Sequence, residues 1–100
     1  MAAYIVFTKT RTRNPAELKL YAEQVPAFMA GHRAKFLARF GACETREGAE
    51  AEGVAIIEFP TLAEAKAWYE SPAYKAASEH RYRGGDYDVV IVEGYPPADG

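Results

Sequence analysis

The stretch GVAIIEFPTLAEAKAWY, Gly53 to Tyr69, sets a strand against a helix with a sharp boundary between them. Gly53 to Phe59 is short, apolar and rich in β-branched and aromatic types, which reads as a strand. Pro60 ends it. Thr61 followed by Glu64 makes a capping box, and Leu62, Ala65, Trp68 and Tyr69 then recur at the three- and four-residue spacing of one helical face. Toward the C-terminus, Ser71 and Pro72 restart the helical signal, giving a second short helix through Tyr74 and Ala77 to about Arg81. Gly84 and Gly85 turn the chain, and Asp86 to Glu93 (DYDVVIVE) is a last strand.

Toward the N-terminus, Lys35 to Glu44 (KFLARFGACE) alternates as a strand that pairs with Gly53 to Phe59 in an antiparallel hairpin. Before it, Asn14, Pro15 and Glu17 announce a helix: Asn14 accepts from the first turn, Pro15 sits where no amide donor is needed, and Glu17 reaches back as a capping box. Leu18, Tyr21, Ala22, Val25, Phe28 and Met29 form its apolar face. Pro26 falls inside that pattern, which predicts a kink or a break into two shorter helices, and Gly31 is a stop signal. Ala3 to Lys9 (AYIVFTK) is the first strand. The order is β, α, β, β, α, β, an α+β ferredoxin-like arrangement of four antiparallel strands with helices on one face. Right-handed crossovers leave few competing topologies. Residues 1–95 are expected to form a single domain and residues 96–100 a flexible tail.

Three strands are apolar at consecutive positions: Tyr4 to Phe7, Val54 to Ile57 and Val89 to Val92. A solvated sheet face would alternate apolar and polar residues, so both faces of these strands need cover, and the helices supply only one. A second copy stacked face to face about a twofold axis is the simplest cover for the other, so the chain is expected to be a homodimer.

Composition narrows the partners. Twelve basic against fourteen acidic residues give a formal charge of −2, which supplies no broad positive field for nucleic acid. The basic run Lys9, Arg11, Arg13 reads as the solvated end of a strand. No segment approaches the roughly 20 apolar residues that span a bilayer, and the apolar part of MAAYIVFTKTR is far shorter than a signal peptide's core. The expected location is the cytoplasm, with no membrane partner. A lone Cys43 builds neither an internal disulfide nor a thiolate metal site, and it reads as a small half-buried strand residue.

The run EFPTLAEAKAWYESPAY, Glu58 to Tyr74, together with AYIV at Ala3, FLARFG at Phe36 to Gly41 and VVIVEG at Val89 to Gly94, resembles the bacterial family of domain of unknown function 1330, within the dimeric α+β barrel superfamily. The likeness covers nearly the whole chain. It implies a ferredoxin-like fold and a dimeric α+β barrel, and it carries no established reaction. Other branches of that superfamily include cofactor-independent monooxygenases, isomerases, haem-degrading enzymes and binding proteins, among which fold-level analogy does not choose.

The candidate functional residues are polar or aromatic groups in or beside apolar elements. A hairpin centred on Glu47 to Glu50 would place Arg39 and Glu58 nearly opposite each other on one face. There Arg39 offers a planar fork for a carboxylate and Glu58 a proton carrier, the alternative being a structural cross-strand ion pair. His32 and His80 are further proton-carrier candidates, so the catalytic candidates are His32, Glu58 and His80. Two histidines without an Asp, Glu or Cys at ligand spacing make a weak metal signal, and no metal or cofactor is expected. His80 is followed by Arg81, Tyr82 and Arg83, which read either as a pocket mouth or, more simply, as a solvated helix end.

For ligand binding the candidates are Arg39, Tyr21, Phe28, Trp68 and Tyr74. Trp68 reads first as core packing, and Ser71 as a helix cap rather than a nucleophile. Three functions follow. The first is a small homodimer that binds an organic molecule between helices and sheet. The second is a cofactor-independent monooxygenase- or isomerase-like enzyme. The third is a non-catalytic structural or interaction domain. A packed interior favours the third, and a pocket with convergent polar groups the first two.

Overall fold

The computed structural model describes residues 1–96. The expected tail, 96–100, lies outside them apart from Pro96. The elements are β1 (Ala3–Thr12), α1 (Pro15–Glu23), α2 (Val25–Met29), β2 (Lys35–Arg39), β3 (Gly53–Phe59), α3 (Leu62–Tyr69), α4 (Pro72–Gly84) and β4 (Gly85–Glu93). The strands form one antiparallel sheet in the order β2-β3-β1-β4. That is the ferredoxin-like arrangement, with both helical connections on one face.

The helices begin where local chemistry says they should. Asn14 accepts from the Ala16 amide at 3.2 Å, and Pro15 opens α1. Glu17 does not close the box; it reaches His80 instead, and the Asn14 amide donates to the Gly84 carbonyl at 2.9 Å. The predicted break at Pro26 occurs: α1 stops at Glu23, and Pro26 lies in the first turn of α2, where its missing amide costs nothing. Gly31 follows with φ of 78°. Thr61 accepts from the Glu64 amide at 3.1 Å, and Ser71 accepts from Tyr74 at 3.3 Å while donating to the Trp68 carbonyl at 2.7 Å. Ser71 is a cap.

Three boundaries differ from expectation. β1 continues to Thr12, past a bulge between Lys9 and Arg11. β2 ends at Arg39 rather than Glu44, because Phe40 takes a left-handed conformation, φ 53°, after its amide makes a last bond to the Val54 carbonyl at 2.9 Å. α4 runs on to Gly84, which packs directly under α1: a Cβ there would meet Leu18 Cδ2 at 2.5 Å.

The two faces of the sheet are unlike. Ala3, Ile5, Phe7, Ala55, Ile57 and Phe59 point to the helices and are buried. They pack with Phe28, Ala65, Trp68, Tyr74 and Ala77 in one core. Tyr4, Val6, Val54 and Ile56 point the other way and are only half-buried, and Val90 and Val92 are 57% and 49% exposed. The outer face is apolar and uncovered within one chain.

Candidate functional site

The aromatic part of the core is solid at one end of the helix layer. Trp68 and Tyr74 stack with ring centroids 4.2 Å apart, and Phe28 meets both edge-on at 5.7 and 5.2 Å. Trp68 donates its indole N–H to the Phe28 carbonyl at 2.8 Å, so this large buried ring leaves no polar atom unpaired.

At the other end, beneath α1 and α2, the packing opens into a cavity of about 210 Å³. Phe7, Ala55 and Ile57 form its floor, Tyr21, Val25 and Phe28 its helical wall, and Arg39, Phe40 and Lys9 its polar side. Phe40 is held there by its left-handed backbone and by Gly53, where a Cβ would lie 2.7 Å from the Phe40 ring. Lys9 places its ammonium 5.5 Å from the Phe40 centroid and 3.9 Å from Glu52. Arg39 stacks its guanidinium over Phe36 at 4.8 Å and has no carboxylate within salt-bridge distance among the described residues. A largely apolar chamber with an exposed planar cation at its side suits a small molecule that is apolar over most of its surface and anionic at one end.

Tyr21 adds a neutral hydroxyl. It shares a 2.7 Å hydrogen bond with Tyr74. Burial pushes the Tyr21 phenol well above its ordinary value, and the neighbouring Tyr74 pushes it further. Burial likewise raises Tyr74, to about 12, against the opposing pull of the Arg81 charge and the Tyr21 hydrogen bond. Near neutral pH both phenols keep their protons, so Tyr21, which lines the cavity, can orient a ligand and does not serve as a base.

Of the residues singled out in the sequence, Arg39, Tyr21 and Phe28 come together around this cavity. Trp68 and Tyr74 lie behind its wall, 0% and 1% exposed, and do not line it. Arg39 and Glu58 do not face each other. The register pairs Lys35 with Glu58 and Arg39 with Ala55, with a bulge between Phe36 and Ala38. Arg39 therefore shares the helix-side face with Ala55, while Glu58 alternates to the outer face beside Tyr4. The long β2–β3 connection, residues 40–52, does not fix register as a tight turn would, and a shift by an odd number of residues moves a side chain to the other face.

His80 lies between α1 and α4, its Nδ1 2.6 Å from the Glu17 carboxylate, and His32 follows Gly31 in the turn after α2. Neither lines the cavity. Two cationic residues were undervalued. Lys9 reaches the cavity rather than solvent, because odd-numbered residues of β1 face the helices. Arg81 is only 4% exposed, not part of a solvated helix end. Its spacing with Tyr74, Ala77 and Ser78 places it on the buried stripe of α4, a signal the sequence does carry.

The model of the family described as domain of unknown function DUF1330 matches residues 2–95. No match to a curated protein was found. Among solved structures, a protein of unknown function from Rhodopseudomonas palustris is 16% identical, covers 96% of this chain and 84% of its own, and superposes with a TM-score of 0.68. SnoaB, a cofactor-independent oxygenase from Streptomyces nogalater, is 14% identical over 99% of this chain and 98% of its own, with a TM-score of 0.65. A dimeric ferredoxin-like protein of unknown function from Jannaschia sp. is 12% identical over 94% of this chain and 100% of its own, with a TM-score of 0.67. At these identities the likeness establishes the fold. No helix among the described residues is long and apolar enough to cross a membrane.

Proposed function

The chain belongs to the DUF1330 family, a domain of unknown function, and on the geometry of its cavity we propose that it is a homodimeric cytoplasmic protein that binds a small apolar acid between helices and sheet. The observation that carries this reading is Arg39, a guanidinium without a carboxylate partner that stands, with Lys9, at the exposed polar side of a largely apolar chamber. At about 210 Å³ the chamber is smaller than the ~300–1,000 Å³ of drug-sized sites, so the ligand is on the order of one substituted ring. Binding without catalysis is favoured over the oxygenase alternative that the Streptomyces structure suggests: His32, Glu58 and His80 do not line the cavity, and the buried Tyr21 phenol that does holds its proton.

The test is thermal unfolding with phenylacetate and with its neutral amide. A ligand at tenfold its Kd adds about 1.4 kcal/mol, which moves the midpoint of a domain this size by roughly 5–10 °C. Phenylacetate is expected to produce such a rise, phenylacetamide a much smaller one, and Arg39→Ala to cut the difference by more than half. A difference undiminished in Arg39→Ala would refute the role of Arg39, and no rise at all would remove the ligand class.

The dimer rests on the uncovered apolar face, where Val90 and Val92 stand in water in a single chain. The Jannaschia protein, itself dimeric, supports the same solution here. Sedimentation velocity at micromolar concentration should give a dimer that Val92→Asp dissociates. A monomeric wild-type chain would overturn the assembly.

A further inference from the structure

Arg81 is the most anomalous side chain in the molecule. It projects from α4 into aromatic surroundings, its guanidinium carbon 5.7 Å from the Phe7 centroid, 4.9 Å from Tyr82 and 5.1 Å from Tyr87. It is 96% buried by the 4% that remains exposed, yet it makes no salt bridge within the described residues. Its Nη2 donates to Tyr69 Oη over a long 3.4 Å, and its Nε is buried without any partner. Burying a charge is costly unless a counter-charge and hydrogen bonds compensate it, and aromatic faces offset only part of that cost. An arginine so placed is either poorly satisfied or waiting for an anion.

The cleft next to it fits the second case. A depression of about 470 Å³ opens beside Arg81, walled by Tyr69, Tyr82 and Tyr87 and floored by Gly85 and Val89. The other charges at this cleft cancel. Arg13 donates to the Asp86 carboxylate at 2.8 Å and uses three further donors on the carbonyls of Tyr82, Arg83 and Gly85. The charge left over is that of Arg81. The rings of Tyr69, Tyr82 and Tyr87 line the cleft and offer flat apolar contact.

We propose that this cleft, which shares only the Tyr87 ring with the cavity under α1 and α2, is a second binding site for a small aryl carboxylate whose carboxyl group pairs with Arg81 while its ring lies against Tyr69, Tyr82 and Tyr87. A carboxylate supplies the missing counter-charge and accepts two parallel N–H bonds, which a neutral amide cannot do.

The side-chain Nε–H resonances of Arg81 and Arg39 in a ¹H–¹⁵N correlation spectrum report the two sites separately in the intact protein, with no mutation needed. Titration with benzoate should shift the Arg81 Nε–H saturably, at an affinity at least tenfold above that of benzamide. The response should persist in Arg39→Ala and weaken at least fivefold in Arg81→Lys. An Arg81 signal that stays fixed while benzoate reaches tens of millimolar would overturn the site even if Arg39 responds. Equal responses to benzoate and benzamide would overturn the carboxylate assignment. If Arg81→Lys fails to fold, the wild-type titration alone decides.

Discussion

Two ends of one helix–sheet layer, built on the same strands, reach opposite packing solutions. Under α3 and α4 the inner face of the sheet is covered by Trp68 and Tyr74, which stack at 4.2 Å and are 0% and 1% exposed. Under α1 and α2, small Ala55 lies on the floor, Pro26 splits the helix above it, and a cavity of about 210 Å³ remains. The solid end has the long helix and a capped, hydrogen-bonded tryptophan. The hollow end has two short helices and, at the cavity, Lys9 and Arg39. Within the core, stability and the cavity under α1 and α2 thus belong to different halves, and substitutions should separate them.

The largest expected effect is at the solid end. Trp68→Ala removes a fully buried ring together with its hydrogen bond to the Phe28 carbonyl. The combined transfer and cavity terms for a buried tryptophan are about 3–5 kcal/mol, a large share of the ~5–15 kcal/mol that holds a domain folded. Urea denaturation should therefore show either that loss or an unfolded chain. A cost near 1 kcal/mol would mean that this end relaxes as readily as the hollow one, and the contrast would fail.

A second effect joins the two ends through the Tyr21–Tyr74 hydrogen bond. Both phenols are raised in the folded protein, so between pH 10 and about 12 the folded state keeps a proton on Tyr74 that the unfolded chain gives up. The folded state binds more protons in that window, so the pair's contribution to stability is constant below pH 10 and falls as pH rises toward 12. For Tyr74, a difference of about two pH units corresponds to ~2–3 kcal/mol. Denaturation curves at pH 8, 10 and 11.5 measure it, and Tyr74→Phe should flatten its share of the slope. A stability unchanged to pH 11.5 would mean that the pair is hydrated.

Much of this contrast was legible in the sequence, and what escaped was long-range. Caps at Asn14, Thr61 and Ser71, the break at Pro26 and the order of strands all follow from chemistry within a few residues, where local rules are strong. The pairing of Arg39 with Glu58 did not hold, because it depended on register across a 13-residue connection, residues 40–52, and on a bulge that no local pattern announces. Arg81 was read by its charge and its place near a helix end. Its spacing with Tyr74 and Ala77 pointed inward, and that geometry prevailed. Lys9 was likewise read as part of a solvated basic run, although strand alternation aims it at the cavity.

The smallest expected change in stability is also the sharpest test of the hollow end. Ala55 is 3% exposed, lies in the middle of β3 opposite both Phe7 and Arg39, and forms the cavity floor. Ala55→Ile extends a side chain of high strand propensity into empty space. Each added methylene buried there contributes about 0.8 kcal/mol, less about 0.5–1 kcal/mol of lost rotamer freedom. The net expectation is a gain of between zero and ~2 kcal/mol, accompanied by a phenylacetate response cut by more than half, while the benzoate shift at Arg81 is kept. If the chamber is instead closed in solution by movement of α1 and α2, the same substitution overpacks the core and costs about 1–3 kcal/mol. The sign of that one measurement therefore separates a real cavity from a gap that the helices fill, and it does so without requiring that the ligand be known.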